Sequence, residues 1–259
     1  MRTYDAINKV SNAIIEDGFC EAILVKGSIG RGDDDAYSDV DMYVVVSEEK
    51  RKAFLDKRLY YLSAYMEVVY SSNANFVAEQ VIAIYEDGLH FDLYTVTFDT
   101  LPHRDKAKII YDPSDLLKNY TPEMYRMTGD EIVALFNDAL YYFVEADAAY
   151  CRKNYPWTAC ILQHALANAS IAVRYLFDKD YAYLGLKKIN EILPTEQYSL
   201  IEKASHNLNR DGFQTANSCI IKLLDYAAQN LAEELKPTLN YKFFNWTKNN
   251  INTKLFLKS

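Results

Sequence analysis

The sequence predicts an α+β protein in which an N-terminal domain with a mixed β-sheet flanked by helices is followed by a C-terminal helical bundle. Over the first 110 or so residues, segments with helical periodicity alternate with short apolar segments typical of strands. From about Gly129 the apolar spacing changes to a period of 3.6 residues and keeps it. We therefore expect one domain at 1–112, a second at 125–240 and a C-terminal tail at 241–259.

Apolar patterning predicts the elements of the first domain in order. These are a helix at 4–17, strands at 22–25 and 40–46, a helix at 48–65, a strand at 66–70, a segment ambiguous between helix and strand at 76–85, and strands at 89–98 and 107–111. The strand at 89–98 follows the turn sequence Glu86-Asp87-Gly88. This alternation is what a sheet covered by helices requires.

The second domain is predicted to be entirely helical. One long helix begins at Gly129, and the segment 157–177 is apolar on nearly every side, which is typical of the central helix of a bundle. Further helices are expected at 183–192, 196–204 and 215–235. The chain from Lys236 onward carries five lysines and no acid. We expect a solvated end there, with a docking strand as the alternative.

Charge and hydropathy exclude some classes of function. A net charge of -8 argues against a protein that binds a nucleic-acid backbone, since that task needs clustered Lys and Arg, and it suits a cationic acceptor instead. No segment approaches the ~20 consecutive apolar residues of a membrane span, and residues 1–20 lack the apolar run of a signal peptide. We expect a cytoplasmic protein that acts without a membrane or a nucleic acid.

The segment 24–46 carries the most informative motif. A strand leads into Gly27-Ser28, ten residues follow, and Asp39-x-Asp41 then opens the next strand. A glycine lets the backbone come close to a triphosphate, where a side chain would block it. The hydroxyl of Ser28 adds a hydrogen-bond donor to such an anion site.

The acidic residues of the motif predict a metal site. Asp39 and Asp41 are two residues apart on a strand, so their side chains point the same way. Side-by-side carboxylates repel each other unless a hard divalent cation lies between them, and Mg²⁺ suits such ligands. Asp92 is a third acid, placed in an apolar strand where a carboxylate is costly to bury without a metal or a proton. If its strand pairs beside that of Asp41, the acids form one cluster, and the neighbouring His90 either contacts substrate or makes a local hydrogen bond.

These residues resemble the signature of the polymerase-beta-like nucleotidyltransferase superfamily. Its members carry Gly-Ser, a spacer of about ten residues, Asp-x-Asp and a third carboxylate, which Asp92 matches. A small α/β domain followed by a helical domain is most similar to the antibiotic nucleotidyltransferases, which act on aminoglycosides or lincosamides. The motifs cover residues 24–46 and 89–97, and Lys26 stands where the pattern has an apolar residue.

The resemblance implies a reaction in which a hydroxyl of a small acceptor attacks the α-phosphorus of a nucleoside triphosphate, expected to be ATP, and pyrophosphate leaves. Residues 1–112 would be the nucleotidyltransferase catalytic domain, and the helical domain would supply the acceptor pocket. The cofactor would be Mg²⁺, held by the acids of the motifs, Asp39, Asp41 and Asp92. We expect a monomer or a homodimer.

Roles of several other residues follow from the same resemblance or remain alternatives. Gly27 and Ser28 would bind the triphosphate, and Arg31 either joins them or caps the loop. The general base is Asp92, which is the preferred candidate, or Glu145 on the long helix that begins at Gly129. Asp33, Asp34 and Asp35 are assigned to a solvent-facing turn.

Three other functions compete with this one. A protein-modifying adenylyltransferase of the antitoxin type is usually a short single domain, so the helical domain argues against it. A polynucleotide polymerase is disfavoured by the acidic charge. A non-catalytic nucleotide-binding module would have no use for a costly carboxylate cluster.

Overall fold

A computed structural model of the protein describes residues 1–257, so Lys258 and Ser259 of the predicted tail lie outside the described residues. The chain divides into two units, Met1–Met124 and a second that begins at Tyr125. Within the described range, no helix is both long and apolar enough to cross a membrane.

The described part of the first unit forms a six-stranded mixed sheet of order β3-β4-β5-β2-β1-β6, with helices on one face. The central strands β2 and β5 are parallel, and the other pairs are antiparallel. The elements are α1 (Arg2–Asp17), β1 (Cys20–Val25), α2 (Gly27–Arg31), β2 (Val40–Val46), α3 (Glu48–Leu62), β3 (Val68–Asn75), β4 (Glu79–Tyr85), β5 (His90–Val96) and β6 (Lys108–Tyr111). The predicted fold class is confirmed for this part.

Alternation along β2 gives the sheet two different faces. Val40, Met42 and Val44 are fully buried in a core that α1 and α3 complete, as their spacing predicts. The opposite face carries Asp41 and Tyr43. Further along the strands, a smaller apolar cluster covers that face, and residues 101–120 contribute side chains to it.

Local features of the sheet differ from the predictions. The ambiguous segment at 76–85 contains strand β4, paired on both sides. Strand β3 continues to Asn75 instead of ending at Tyr70, because its polar residues 71–73 pair with β4 through the backbone although they carry no hydrophobic signal. The helix predicted at 48–65 ends at Leu62, and the short helix α2 was not predicted.

The second unit is helical, as predicted. Its helices are α4 (Gly129–Cys151), α5 (Tyr155–Phe177), α6 (Ile189–Ile192), α7 (Thr195–His206), α8 (Phe213–Asn230) and α9 (Tyr241–Asn250). Helix α5 packs against α4, α7 and α8, which confirms its central place. Buried small residues such as Ala165, Ala169 and Ala172 allow this close packing. A capping box between Thr128 and Glu131 fixes the start of α4.

Two predicted segments take other forms. The helix expected at 183–192 is replaced by a 3-10 helix at Lys179–Leu184 and the one-turn α6, because Gly185 with φ 58° ends the first. The buried Arg174 holds the intervening turn by donating to the carbonyls of Gly185 and Lys187, at 3.0 Å and 2.6 Å. The helix expected at 215–235 ends at Asn230.

The segment predicted as a tail belongs to the helical core. Residues 241–250 form α9, and Phe244 and Phe256 are buried in the same apolar cluster as α4 and α5. The Asp147 carboxylate accepts a hydrogen bond of 2.7 Å from the Phe256 amide. The lysines of this segment indicated a solvated end, but its aromatic residues determine its packing.

Candidate active site

Asp41 and Asp92 are direct neighbours in the register of β2 and β5. Both carboxylates lie on the face opposite the helices, and both residues are half-buried. The side chain of Asp92 is 13 % exposed. The strand pairing that the sequence left open therefore exists, and it places two acids side by side.

Tyr43 and Tyr94 lie two residues further along the same strands, on the same face of the sheet as the acids. Their rings stack with centroids 4.2 Å apart and an angle of 6° between the planes. Burial raises the pKa of Tyr94, and the negative charges of Asp41, Asp92 and Asp39 raise it further. The contribution of Asp39, immediately before β2, is the smallest of the three.

His90 makes the local hydrogen bond that was one of its two predicted alternatives. Its Nε2 lies 3.1 Å from Oδ1 of Asp92, on the same strand and the same face. The His90 side chain is 41 % exposed. The contact engages one oxygen of Asp92 and leaves the other for a ligand or a proton.

Gly27 lies directly against the carboxylate of Asp41. A Cβ added at position 27 would stand 2.2 Å from Oδ2 of Asp41, and the φ of Gly27 is +61°. The amide of Lys26 also donates to the Asp41 carbonyl, at 2.9 Å. The Gly-Ser segment and the acidic strand are therefore in contact, for which the glycine is needed twice, by space and by conformation.

The hydroxyl of Ser28 is buried and unsatisfied. The residue is 5 % exposed, and its Oγ has no hydrogen-bond partner among residues 1–257. Buried hydroxyls are nearly always paired in folded proteins. Other buried hydroxyls, such as that of Ser11, are also unpaired among the described residues, so it is the place of Ser28 next to Gly27 that makes its donor available to a ligand.

Arg31 is engaged with its own chain. Its Nη1 lies 3.1 Å from Oδ2 of Asp105, and its Nε lies 3.3 Å from Oδ1 of Asp33. Of the two predicted alternatives, the loop-holding contact is the one present. Asp35 accepts hydrogen bonds from the Tyr37 amide and the Ser38 hydroxyl, at 2.8 Å and 3.3 Å, as a turn residue does.

Lys26 was noted in the sequence only as a departure from the motif, and its role in the site was not predicted. Its buried ammonium donates to the carbonyls of Pro102 and Arg104, the latter at 3.2 Å. It also lies 4.7 Å from the ring centroid of Tyr43 and 5.5 Å from that of Tyr120. Burial lowers the pKa of Lys26 to about 8, against the opposing effect of Asp105. The available signal was a charged residue at the end of an otherwise apolar strand.

Glu145, the alternative base, belongs to the second unit. It is exposed on α4, and its Oε1 accepts a hydrogen bond of 3.0 Å from the Tyr141 hydroxyl. Cys151 and Cys160, also of this unit, are exposed.

The chemistry of the acids fits Mg²⁺ that is shared with a substrate. Within residues 1–257, no group of three or more His, Cys, Asp or Glu is gathered closely enough to hold a metal ion, so Asp41 and Asp92 are neighbours but the expected single cluster of three acids is not formed. Mg²⁺ does not need such a cluster, because it usually binds one or two carboxylates together with substrate phosphates and water. The neighbouring Asp41 and Asp92 supply two hard oxygen ligands of that kind.

Comparison with known proteins gives weak likenesses only. No protein-family model and no curated protein matches the chain. Among solved structures, it is similar to an aminoglycoside 6-adenyltransferase from Bacillus subtilis, with 12 % identity and a TM-score of 0.34 over 95 % of this chain and 97 % of that one. It is also similar to a spectinomycin adenyltransferase from Enterococcus faecialis, crystallised with ATP and spectinomycin, with 14 % identity and a TM-score of 0.33 over 95 % and 99 %. At these scores the likeness carries no weight for the function.

Proposed function

We propose that the protein is a magnesium-dependent nucleotidyltransferase. It transfers a nucleoside monophosphate from a nucleoside triphosphate, expected to be ATP, to a hydroxyl of a small acceptor and releases pyrophosphate. The observation that carries the proposal is the contact of Gly27 with Asp41, which itself neighbours Asp92 across parallel strands. This arrangement places Gly27-Ser28, which we call the triphosphate segment, against the acids at one end of the sheet.

Asp39, Asp41 and Asp92 are the residues that would hold Mg²⁺. When bound there, the metal supplies charge neutralisation for the phosphates and lowers the pKa of a bound hydroxyl. The stacked rings of Tyr43 and Tyr94 link the same two strands next to the acids. Gly27 leaves room for the Asp41 carboxylate. The unsatisfied hydroxyl of Ser28 donates a hydrogen bond to an oxygen of the triphosphate.

Asp92 is our candidate for the general base. The acceptor hydroxyl loses its proton to a carboxylate oxygen of Asp92 while its own oxygen attacks the α-phosphorus, and the bond to pyrophosphate breaks. His90 holds the other oxygen of that carboxylate and so fixes its direction. Asp92 acting only as a metal ligand, with Glu145 as the base, is the alternative.

The proposed acceptor is an antibiotic of the aminoglycoside or lincosamide class. The support is the motif resemblance described from the sequence, together with a helical second unit of the kind those enzymes use. The alternative acceptor is a protein side chain, and a binding-only role is a further alternative. We place the activity in the cytoplasm, where nucleoside triphosphates are available.

A pyrophosphate-release screen tests the function. Purified protein, Mg²⁺ and each nucleoside triphosphate are combined with aminoglycosides and lincosamides in turn, with Asp41→Asn as the control. We expect release that depends on one acceptor class, on Mg²⁺ and on Asp41. Labelling of a lysate protein by α-labelled ATP, without turnover of any antibiotic, would instead support the protein-modifying alternative.

A further inference from the structure

The side chain of Lys26 connects the acidic strand to a remote segment of the chain. Lys26 precedes Gly27-Ser28, and its amide donates to the Asp41 carbonyl. Its ammonium is bound to the carbonyls of Pro102 and Arg104. One residue therefore ties strand β2 to residues 102–104, and it stands next to the glycine that contacts the Asp41 carboxylate.

Stability alone does not account for a lysine at this position. Lys26 is only 5 % exposed, and burying an ammonium is costly even when it is hydrogen-bonded. The carbonyls and the faces of Tyr43 and Tyr120 offset part of that cost. A methionine of similar length would fill the same space without carrying a charge. The cation therefore serves a purpose besides packing.

Further contacts hold the same segment against α2. Arg31, at the end of α2, pairs with Asp105. A Cβ added at Gly30 would lie 2.5 Å from the Lys106 carbonyl oxygen, so the two backbones are in direct contact. The Tyr120 hydroxyl donates to the Asp105 carbonyl at 3.2 Å. Residues 102–106 thus lie along α2, and we call this segment the strap. Lys26, just before α2, and Arg31, at its end, both hold the strap through their side chains.

We propose that Lys26 is a positioning residue for the nucleotide. Its ammonium fastens the strap, and the strap holds Gly27 and Ser28 at a fixed place relative to the Asp41 carboxylate. Without the cation, Gly27 and Ser28 shift relative to the acids. The triphosphate can then no longer contact Ser28 and the acids at the same time. This inference rests on the proposed function, because it concerns the same nucleotide site.

The test compares Lys26→Met, which removes the charge at similar length, with Lys26→Arg, which keeps it. Lys106→Met is the matched control, because Lys106 is an exposed lysine of the strap. We measure the Kd of a non-hydrolysable ATP analogue with Mg²⁺, the KM for the triphosphate and the acceptor, kcat, and the thermal unfolding midpoint. A purely structural lysine would alter the unfolding midpoint and leave the ratio of the two KM values unchanged.

For Lys26→Met we expect Kd and the triphosphate KM to rise about tenfold, equivalent to ~1.4 kcal/mol. The acceptor KM should stay within about twofold. The unfolding midpoint should fall somewhat, because the carbonyls of Pro102 and Arg104 lose a donor, and the selective rise of the triphosphate KM distinguishes positioning from that structural cost. Lys26→Arg should bind the analogue more tightly than Lys26→Met. Lys106→Met should match the wild type.

Wild-type affinity in Lys26→Met, or equal losses in the Met and Arg variants, would overturn the inference. If Lys26→Met does not fold, Tyr120→Leu removes one aromatic face of the ammonium site, and unchanged analogue binding in that variant would overturn it as well. A wild-type protein that binds no triphosphate removes the proposed function together with this inference. Wild-type binding that Lys26→Met leaves unchanged removes this inference alone.

Discussion

Gly27 and Asp41 are in contact at the point where the triphosphate segment meets the acidic strand, with a virtual Cβ at position 27 only 2.2 Å from Oδ2 of Asp41. Gly27→Ala should therefore displace the Asp41 carboxylate and reduce transfer to the background. The positive φ adds a stability cost of about 1–2 kcal/mol for any non-glycine residue. Activity and chemical denaturation of the same preparation measure the two effects.

Gly32→Ala is the matched control for this change. Gly32 has φ +83°, and among the described residues no atom beyond Gly32 and its two chain neighbours lies within 4 Å of its added Cβ. It should show the same loss of stability and retain most of the activity. Equal activity in the two variants would mean that the contact with Asp41 has no part in catalysis.

Ser28→Ala should separate ligand binding from stability. Removing a buried unsatisfied hydroxyl relieves a penalty of about 1–3 kcal/mol, so the free energy of unfolding should rise or stay level. Triphosphate affinity should fall, because the ligand loses a donor. Ser11→Ala is the control, since its buried hydroxyl on α1 is also unpaired among the described residues. Ser11→Ala should gain stability with unchanged affinity, and a Ser28→Ala variant with the same two results would exclude Ser28 from the nucleotide site.

Asp39→Asn or Asp41→Asn should abolish transfer without unfolding the protein. Each change removes an oxygen ligand for Mg²⁺ and also relieves repulsion between neighbouring carboxylates. Thermal unfolding without metal should be unchanged or slightly higher, and the stabilisation by Mg²⁺ with a triphosphate should be lost. The exposed Asp99, changed to Asn, provides the charge-matched control. Normal turnover by either the 39 or the 41 variant would refute the metal assignment.

Pre-steady-state transfer measured against pH identifies the general base. Asp92→Asn should slow the chemical step by about 10²–10⁴-fold and remove the rising acid limb of the pH profile. Glu145→Gln should keep that limb, because Glu145 is exposed and bonded to Tyr141. The opposite result, a limb lost only in Glu145→Gln with metal binding intact in both, would move the base to the second unit.

Asp17 should make the stability of the first unit depend on pH. Its carboxylate accepts from Lys57 at 2.7 Å and 2.9 Å and from the Tyr61 hydroxyl, and these bonds lower the pKa of Asp17 below its ordinary value of 3.8. The folded state thus favours the ionised form, so its stabilisation is present above the ordinary value and is lost as pH falls through the lower, folded-state value.

Asp17→Asn should therefore cost about 0.5–1 kcal/mol at pH 7, as a partly exposed ion pair does. Denaturation at several pH values should show the difference from the wild type shrinking to zero in acid. Asp5→Asn is the control, because its pair with Lys9 is exposed on both sides. A difference for Asp17→Asn that does not vary with pH would contradict the assignment.

The sequence was sufficient for the elements that carry strong local patterns. The alternation of Val40, Met42 and Val44 with Asp41 correctly predicted which face of β2 is buried. The pairing of Asp41 with Asp92 could be predicted only on the condition that their strands are neighbours, because local patterning does not determine which distant strands pair. The same reason hid the carbonyl partners of Lys26, which lie more than seventy residues further along the chain.

Segments with mixed signals were the ones that differed. Polar residues of β3 carry no hydrophobic pattern, so its length was underestimated. The lysines of the C-terminal segment outweighed Phe244 and Phe256 in the prediction, although burial of those two rings determines the fold there.

The most direct test of nucleotidyl transfer is the mass of the acceptor after reaction. Protein, Mg²⁺, ATP and a responsive aminoglycoside or lincosamide are incubated, and the antibiotic is analysed by mass spectrometry beside a reaction with Asp41→Asn. We expect an acceptor heavier by one adenylyl group, in an amount equal to the pyrophosphate released, and none from the Asp41→Asn reaction. Pyrophosphate or phosphate released without any adenylylated acceptor, or an equal yield from Asp41→Asn, would contradict the proposed function.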